Sequence, residues 1–183
     1  MGDEEYLFTI LANSKSTLMR LKLDNFDNNL YDFEKFHDVL GKCENIETLC
    51  FYGDLIMGGY IDTFISALEN LKNLTRLTMK HVTDNSLSPC LFEIFSSGCL
   101  KNLKELEIID EGLDEAEVEE MTKDELKAYY DEVSEVIEAI DEGCPDLEKL
   151  ILNNFISMQF DNGRILYCYD CEVYHLKTQS CPY

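Results

Sequence analysis

The sequence predicts an α/β protein: a right-handed solenoid of about five strand–helix repeats, with a parallel sheet on the concave side and a β-hairpin capping the C-terminal end. Three observations carry this. Five segments share one apolar pattern, four of them recur at a near-constant interval, and the stretches between them carry helical stripes.

The segments are TLMRLKLDNF, NIETLCFYGD, NLTRLTMKHV, NLKELEIIDE and DLEKLILNNF, each with apolar residues spaced L-x-x-L-x-L. The first column holds Leu18, Ile46, Leu74, Leu103 and Leu147. The second is leucine throughout (Leu21, Leu49, Leu77, Leu106, Leu150), and the third holds Leu23, Phe51, Met79, Ile108 and Leu152. Successive second-column leucines lie 28, 28, 29 and 44 residues apart, so the last unit carries 16 residues more than a 28-residue period. Such a period has room for a strand and a full helix.

The intervening segments read as the helices. Between Tyr31 and Gly41, Phe33, Phe36, Val39 and Leu40 share a face, and Ile61, Phe64, Ile65 and Leu68 repeat the arrangement. Ser88-Pro89 ahead of Leu91, Ile94 and Phe95 predicts an N-cap with proline at the first helical position. DEEYLFTIL at the start reads as a further back helix. In the long unit, Thr122 and Glu125 form a capping box ahead of Leu126, Tyr129, Val133, Ile137 and Ile140, and Asp114 with Glu117 is placed to cap a short extra helix. The expansion is therefore expected to lengthen or double one helix.

Over residues 4–155 the pattern resembles the leucine-rich-repeat superfamily, in particular its ribonuclease-inhibitor-like and F-box-associated repeats. GKCENIETLCF, SGCLKNLKELEI and EGCPDLEKLIL look most like the F-box type. In them Cys43 and Cys144 precede the strand leucine by six residues, where Leu71 and Leu100 stand in the other units. Cys43, Cys99 and Cys144 are read as small buried apolar residues. The chain departs from the family after each strand, where Phe26, Asp54, Val82, Glu111 and Phe155 replace the usual Asn or Cys, so the amide ladder of the family is not expected. No F-box is found; SLSPCLFEIF echoes one but falls in the phase of a back helix. The resemblance implies a protein-interaction module, related to the substrate receptors of ubiquitin ligases.

Composition narrows the partner. Fifteen Lys and Arg against 37 Asp and Glu give a net charge of −22, which repels nucleic acid and anionic membranes. With no cleavable apolar leader and no run of about 18 apolar residues, a cytoplasmic or nuclear protein is expected. The sequon at Asn73 lies where a strand begins and is read as coincidental.

Residues between the strand leucines should line the concave face: Arg20, Lys22, Asp24; Thr48, Cys50, Tyr52; Arg76, Thr78, Lys80; Glu105, Glu107, Ile109; Lys149, Ile151, Asn153. Five bases against three acids give this face +2 on a protein of −22. Arg20, Lys22, Tyr52, Arg76, Lys80, Glu105, Glu107 and Lys149 are the candidate partner-binding residues. The negative charge gathers at 110–146, where 16 acids oppose Lys123 and Lys127. Glu117, Glu119, Glu120 and Asp124 mark this acidic ridge, read either as a solvated helix face or as a dock for a basic protein that the protein inhibits or chaperones.

Residues 1–155 form the repeat unit and 156–183 the tail. In the tail, Ser157–Phe160 and Ile165–Tyr167 predict a hairpin turned by Asn162-Gly163. Cys168, Cys171, His175 and Cys181 form a C-x2-C-x3-H-x5-C set whose donors suit tetrahedral zinc. The spacing departs from that of a zinc knuckle, and Asp170 and Glu172 suit nucleic acid poorly, so no metal and no cofactor are expected. No nucleophile–base pair, phosphate loop or H-E-x-x-H motif stands out. His37 is read as lying on a helix flank and His81 as following a strand, each a surface or turn residue, and no catalysis is expected.

Overall fold

A computed structural model describes residues 3–26, 32–53, 58–80, 87–109, 120–153, 161–162, 165–168 and 173–176. Helices and strands alternate: α1 (Asp3–Ser14), β1 (Arg20–Phe26), α2 (Phe33–Leu40), β2 (Thr48–Gly53), α3 (Ile61–Asn70, preceded by a 3₁₀ turn at Gly58–Tyr60), β3 (Arg76–Lys80), α4 (Leu87–Ser96), β4 (Glu105–Ile109), α5 (Lys123–Gly143) and β5 (Lys149–Asn153). Three short strands follow: β6 (Asp161–Asn162), β7 (Ile165–Cys168) and β8 (Val173–Leu176). The sheet order is β1-β2-β3-β4-β5-β8-β7-β6, parallel from β1 to β5 and antiparallel beyond.

Register turns the sequence columns into rows. Leu21, Leu49, Leu77, Leu106 and Leu150 stand side by side, as do Leu23, Phe51, Met79, Ile108 and Leu152. Both rows are buried in one core with Phe36, Leu40, Phe64, Leu68, Leu91, Phe95, Ile137 and Ile140 from the helices. A strand exposes alternate residues on opposite faces, and the helices cover the face that carries the leucine rows; among the described residues no helix covers the other.

Each parallel step repeats one hydrogen-bond device. The carbonyl of Met19 accepts from Glu47 N–H (2.8 Å) and Thr48 N–H (3.1 Å). The carbonyls of Glu47, Thr75 and Lys104 each do the same for two successive N–H groups of the following strand entry. Ahead of each of these entries a tight turn closes, from Ile46 N–H to Cys43 O, Leu74 to Leu71, Leu103 to Leu100 and Leu147 to Cys144, at 2.9 to 3.1 Å. Cys43, Leu71, Leu100 and Cys144 are buried there, as the spacing predicts. Burial raises the thiol pKa of Cys43 and of the half-buried Cys99, which keeps both protonated and fits a packing role.

An amide ladder is present on the other side of the strands from the expected place. Asn45 Nδ2 donates to Ser16 O (2.8 Å), Asn73 Nδ2 to Glu44 O (3.1 Å) and Asn102 Nδ2 to Lys72 O (3.3 Å). The sequon asparagine is thus a rung of this ladder. At the last step Asp146 takes the asparagine position, and an exposed ion pair from Lys104 to Glu148 (2.8 Å) crosses instead. The side chains of Phe26, Asp54, Val82, Glu111 and Phe155 lie outside the described residues.

The helix predictions hold with adjustments. Helix α2 starts at Phe33 because Asp32 caps it, its carboxylate accepting from Lys35 N–H at 3.0 Å. Helix α4 already includes Leu87, so Ser88 is helical and not the N-cap. Pro89 sits within the first turn, where N–H groups have no intrahelical acceptor and proline costs little. The expansion lengthens α5 to 21 residues, against 8 and 10 for α2 and α3, and both bonds of the Thr122–Glu125 capping box form. The short extra helix that Asp114 and Glu117 were expected to cap falls outside the described residues. Gly143 ends α5 against α4: a Cβ there would lie 2.1 Å from Phe95 O, so only glycine fits.

The C-terminal cap differs from its prediction in two ways. Asn162 pairs directly with Ile165, which places Asn162 in a strand and not in the turn expected at Asn162-Gly163. The strand partner Ser157–Phe160 lies outside the described residues. In addition, β8 pairs with β5 through Leu152–Tyr174 and Asn153–Val173, closing that edge of the parallel sheet, and Ile165 of β7 is fully buried.

Candidate functional site

The open face of the parallel sheet collects the candidate residues. One row runs Arg20, Thr48, Arg76, Glu105, Lys149; the next runs Lys22, Cys50, Thr78, Glu107, Ile151. Tyr52, Lys80, Ile109 and Asn153 form a third, and Asp24 falls where the β1–β2 register shifts between Leu23 and Phe26. Strands are about 4.8 Å apart, so Arg20 and Lys149 end a row about 19 Å long. Arg20, Lys22 and Lys149 are exposed, Glu105 and Glu107 are half-buried, and the side chain of Tyr52 lies outside the described residues.

The cations of this face are not equivalent. Arg76 Nη2 meets Glu105 Oε1 at 3.0 Å and Lys80 Nζ meets Glu107 Oε1 at 3.6 Å, both pairs joining β3 to β4. Thr78 Oγ1 adds a hydrogen bond to Glu107 Oε2 at 3.4 Å. The middle of the face is therefore electrically closed on itself. Its +2 is carried by Arg20 and Lys22 on β1 and Lys149 on β5, against Asp24. Among the described residues neither Arg20 nor Lys149 has an ion-pair partner. Ile151, opposite Glu107 in its row, is buried, and Ile109 is half-buried. A closed polar centre flanked by cations can hold a protein surface whose acidic groups stand apart.

The acidic ridge is only partly described: Glu117 and Glu119 lie outside, while Glu120 and Asp124 are exposed. Helix α5 continues it with Glu125, Asp131, Glu132, Glu135, Glu138 and Glu142, all exposed. Its last turn carries no base, although the carbonyl end of a helix favours cations. At the other end Thr122 N–H bonds to Glu125 and holds that carboxyl below its usual pKa.

In the tail, Cys168 and His175 stand on adjacent antiparallel strands, two register positions apart. Cys171 and Cys181 and all four side chains of the set lie outside the described residues, among which no group of His, Cys, Asp and Glu is arranged to hold a metal.

His37 overturns its reading as a surface residue. It is 1% exposed, between α2 and α3, with Phe33, Phe36 and Phe64 about its ring. The stripe reading assigned only Phe, Val and Leu to the inner face of α2, whereas His37 follows Phe36 and shares its side. His81 lies outside the described residues.

Comparison of the chain with protein-family models, with curated proteins and with solved structures gave no match. Among the described residues no helix is long and apolar enough to cross a membrane.

Proposed function

We propose that this protein is a leucine-rich-repeat interaction module that binds a protein partner on the open face of its sheet and performs no catalysis. The observation that carries the reading is the row Arg20–Thr48–Arg76–Glu105–Lys149: five strands in one register presenting a continuous polar surface, neutral in its middle and cationic at its flanks. The F-box-like look of the segments around Cys43, Cys99 and Cys144 supports a place among substrate-recognition repeats of ubiquitin ligases, with the ligase-binding part supplied elsewhere; this step is analogy.

The partner is expected to place carboxylates near Arg20 and Lys149. Affinity capture from a native extract in reducing buffer, read by mass spectrometry, tests it with wild type, an Arg20→Glu/Lys149→Glu variant and an Arg76→Glu/Lys80→Glu variant. Both variants should lose the same partners. Partners retained by both would overturn the reading.

A second reading is favoured by the exposed acids of α5, which face one another at helical spacing with no compensating base in the last turn. In it the ridge holds a basic protein, as an inhibitor or chaperone does. Capture would then weaken steeply with salt and fail on neutralising Glu120, Asp124, Asp131 and Glu135.

A further inference from the structure

On three neighbouring strands the open face carries charges that alternate in sign. Arg76 on β3, Glu105 on β4 and Lys149 on β5 stand opposite one another in register. Adjacent strands set them about 4.8 Å apart, so the three span about 10 Å. Arg76 and Glu105 meet at 3.0 Å, yet their side chains keep 56% and 36% exposure, and Lys149 is exposed. The row thus stays accessible after its internal ion pair has formed. Two residues further along each strand the exposure falls. Thr78 is half-buried where Arg76 is exposed, and Ile151 is buried where Lys149 is exposed.

Spacing selects the conformation of a ligand on this row. The backbones of β3, β4 and β5 already pair within the sheet, so an extended segment laid across them gains no backbone pairing. A helix satisfies its own N–H and C=O groups. It rises about 5.4 Å per turn, so residues i, i+4 and i+7 span about 10.5 Å and follow the three strands to within about 1 Å. Same-side residues of an extended segment are about 6.8 Å apart and outrun the row by about 4 Å over two steps. Charge then sets the order: a carboxylate over Arg76, an ammonium over Glu105 and a carboxylate over Lys149. Each exposed pair is weak alone. The order of signs discriminates, because the inverse order sets like charges together at all three strands.

We propose, resting on the open face as the interaction surface, that a helix of the partner lies across β3, β4 and β5, one turn to each strand. Its contact side carries an acidic, a basic and an acidic residue at i, i+4 and i+7.

The test titrates the full chain with alanine-based helical peptides with blocked ends, followed by the amide resonances of the protein. One peptide carries Glu, Lys and Glu at i, i+4 and i+7 with a further Lys on its far side; the other carries the inverse charges. Both have zero net charge, so the −22 of the chain gives neither a long-range advantage. The first should shift the Arg76, Glu105 and Lys149 amides and bind roughly ten-fold or more tighter than the inverse. Arg76→Glu/Glu105→Arg/Lys149→Glu should reverse that preference, which also shows that the variant is folded. Lys149→Glu alone, at an exposed position, should weaken the first peptide by roughly three-fold or more. A peptide of the same charges with a central helix-breaking proline should bind roughly ten-fold less tightly. The proposal is overturned if the two helical peptides bind equally, if neither binds, if the proline peptide binds as well as its parent, or if the shifts fall on α5. Partners lost from the Arg20→Glu/Lys149→Glu variant on capture, with neither peptide bound, would remove the helix and leave the open face as the site. Partners retained by both capture variants would remove both.

Discussion

The hydroxyl of Thr63 lies 2.8 Å from His37 Nδ1 and itself donates to the Tyr60 carbonyl at 2.8 Å. Its one proton is thus committed, so it accepts from Nδ1–H, and the imidazole is the neutral Nδ1–H tautomer. Nε2 is buried with no partner among the described residues.

A pH dependence follows. Burial lowers the His37 pKa from 6.5 to about 4. Between those values the unfolded chain binds a proton that the folded chain does not, so stability falls as pH falls through that window and levels off below it. The contribution is on the order of 3 kcal/mol. Urea midpoints at pH 7 and pH 4.5 should fall less in His37→Phe than in wild type. The comparison must be made as this difference, because protonating the many carboxylates relieves repulsion and acts in the opposite direction.

Gly143→Ala should destabilise by about 1–3 kcal/mol, since the added Cβ meets a backbone carbonyl that cannot swing aside. Chemical denaturation gives the value, with Lys127→Ala on the exposed face of α5 as a control near zero.

Removing a rung of the asparagine ladder should cost about 0.5–1.5 kcal/mol at each of Asn45, Asn73 and Asn102 when changed to Ala. The converse change, Asp146→Asn, supplies an amide where the ladder stops, with Lys101 O in the place of the earlier acceptors. It should raise stability by about 0.5–1 kcal/mol. Equal denaturation curves for Asp146→Asn and wild type would count against an equivalent geometry at the last step.

On α5, Asp131 with Glu135 and Glu138 with Glu142 are like-charged pairs four residues apart, and the latter lies at the carbonyl end of the helix. Glu138→Lys should therefore stabilise by roughly 0.3–1 kcal/mol at low salt, with the gain shrinking as salt screens it. Thermal melts at two ionic strengths check both sign and trend.

The sequence displayed the rows that became the inner face of the sheet, because burial forces the same residue class at a fixed interval: fifteen apolar positions survive substitution of Leu by Ile, Phe or Met. The helical stripes and the Thr122 capping box were legible for the same reason, being local. What spans two units was harder to see. Arg76 and Glu105 occupy one column of the alignment, so their pairing was available, but only by reading across columns for charge as well as along them for leucine. The asparagines one residue ahead of Ile46, Leu74 and Leu103 also form a column, but they are exposed, so burial leaves no apolar signature there. Strand β8 is four residues long, too short for an alternating pattern to stand out in the sequence. His37 was misplaced because a polar type on a helix was assumed to face water.

The carbonyls of Met19, Glu47, Thr75 and Lys104 each receive two N–H groups from the next unit, and nothing in that exchange refers to a unit further away. Duplicating or excising one 28-residue period would leave every remaining junction of the same kind as before. The number of strands is therefore not set by closure, as it is in a barrel, but by where an antiparallel β8 arrives to terminate the series. Length is a trait such a gene can change by whole increments without redesigning any single joint.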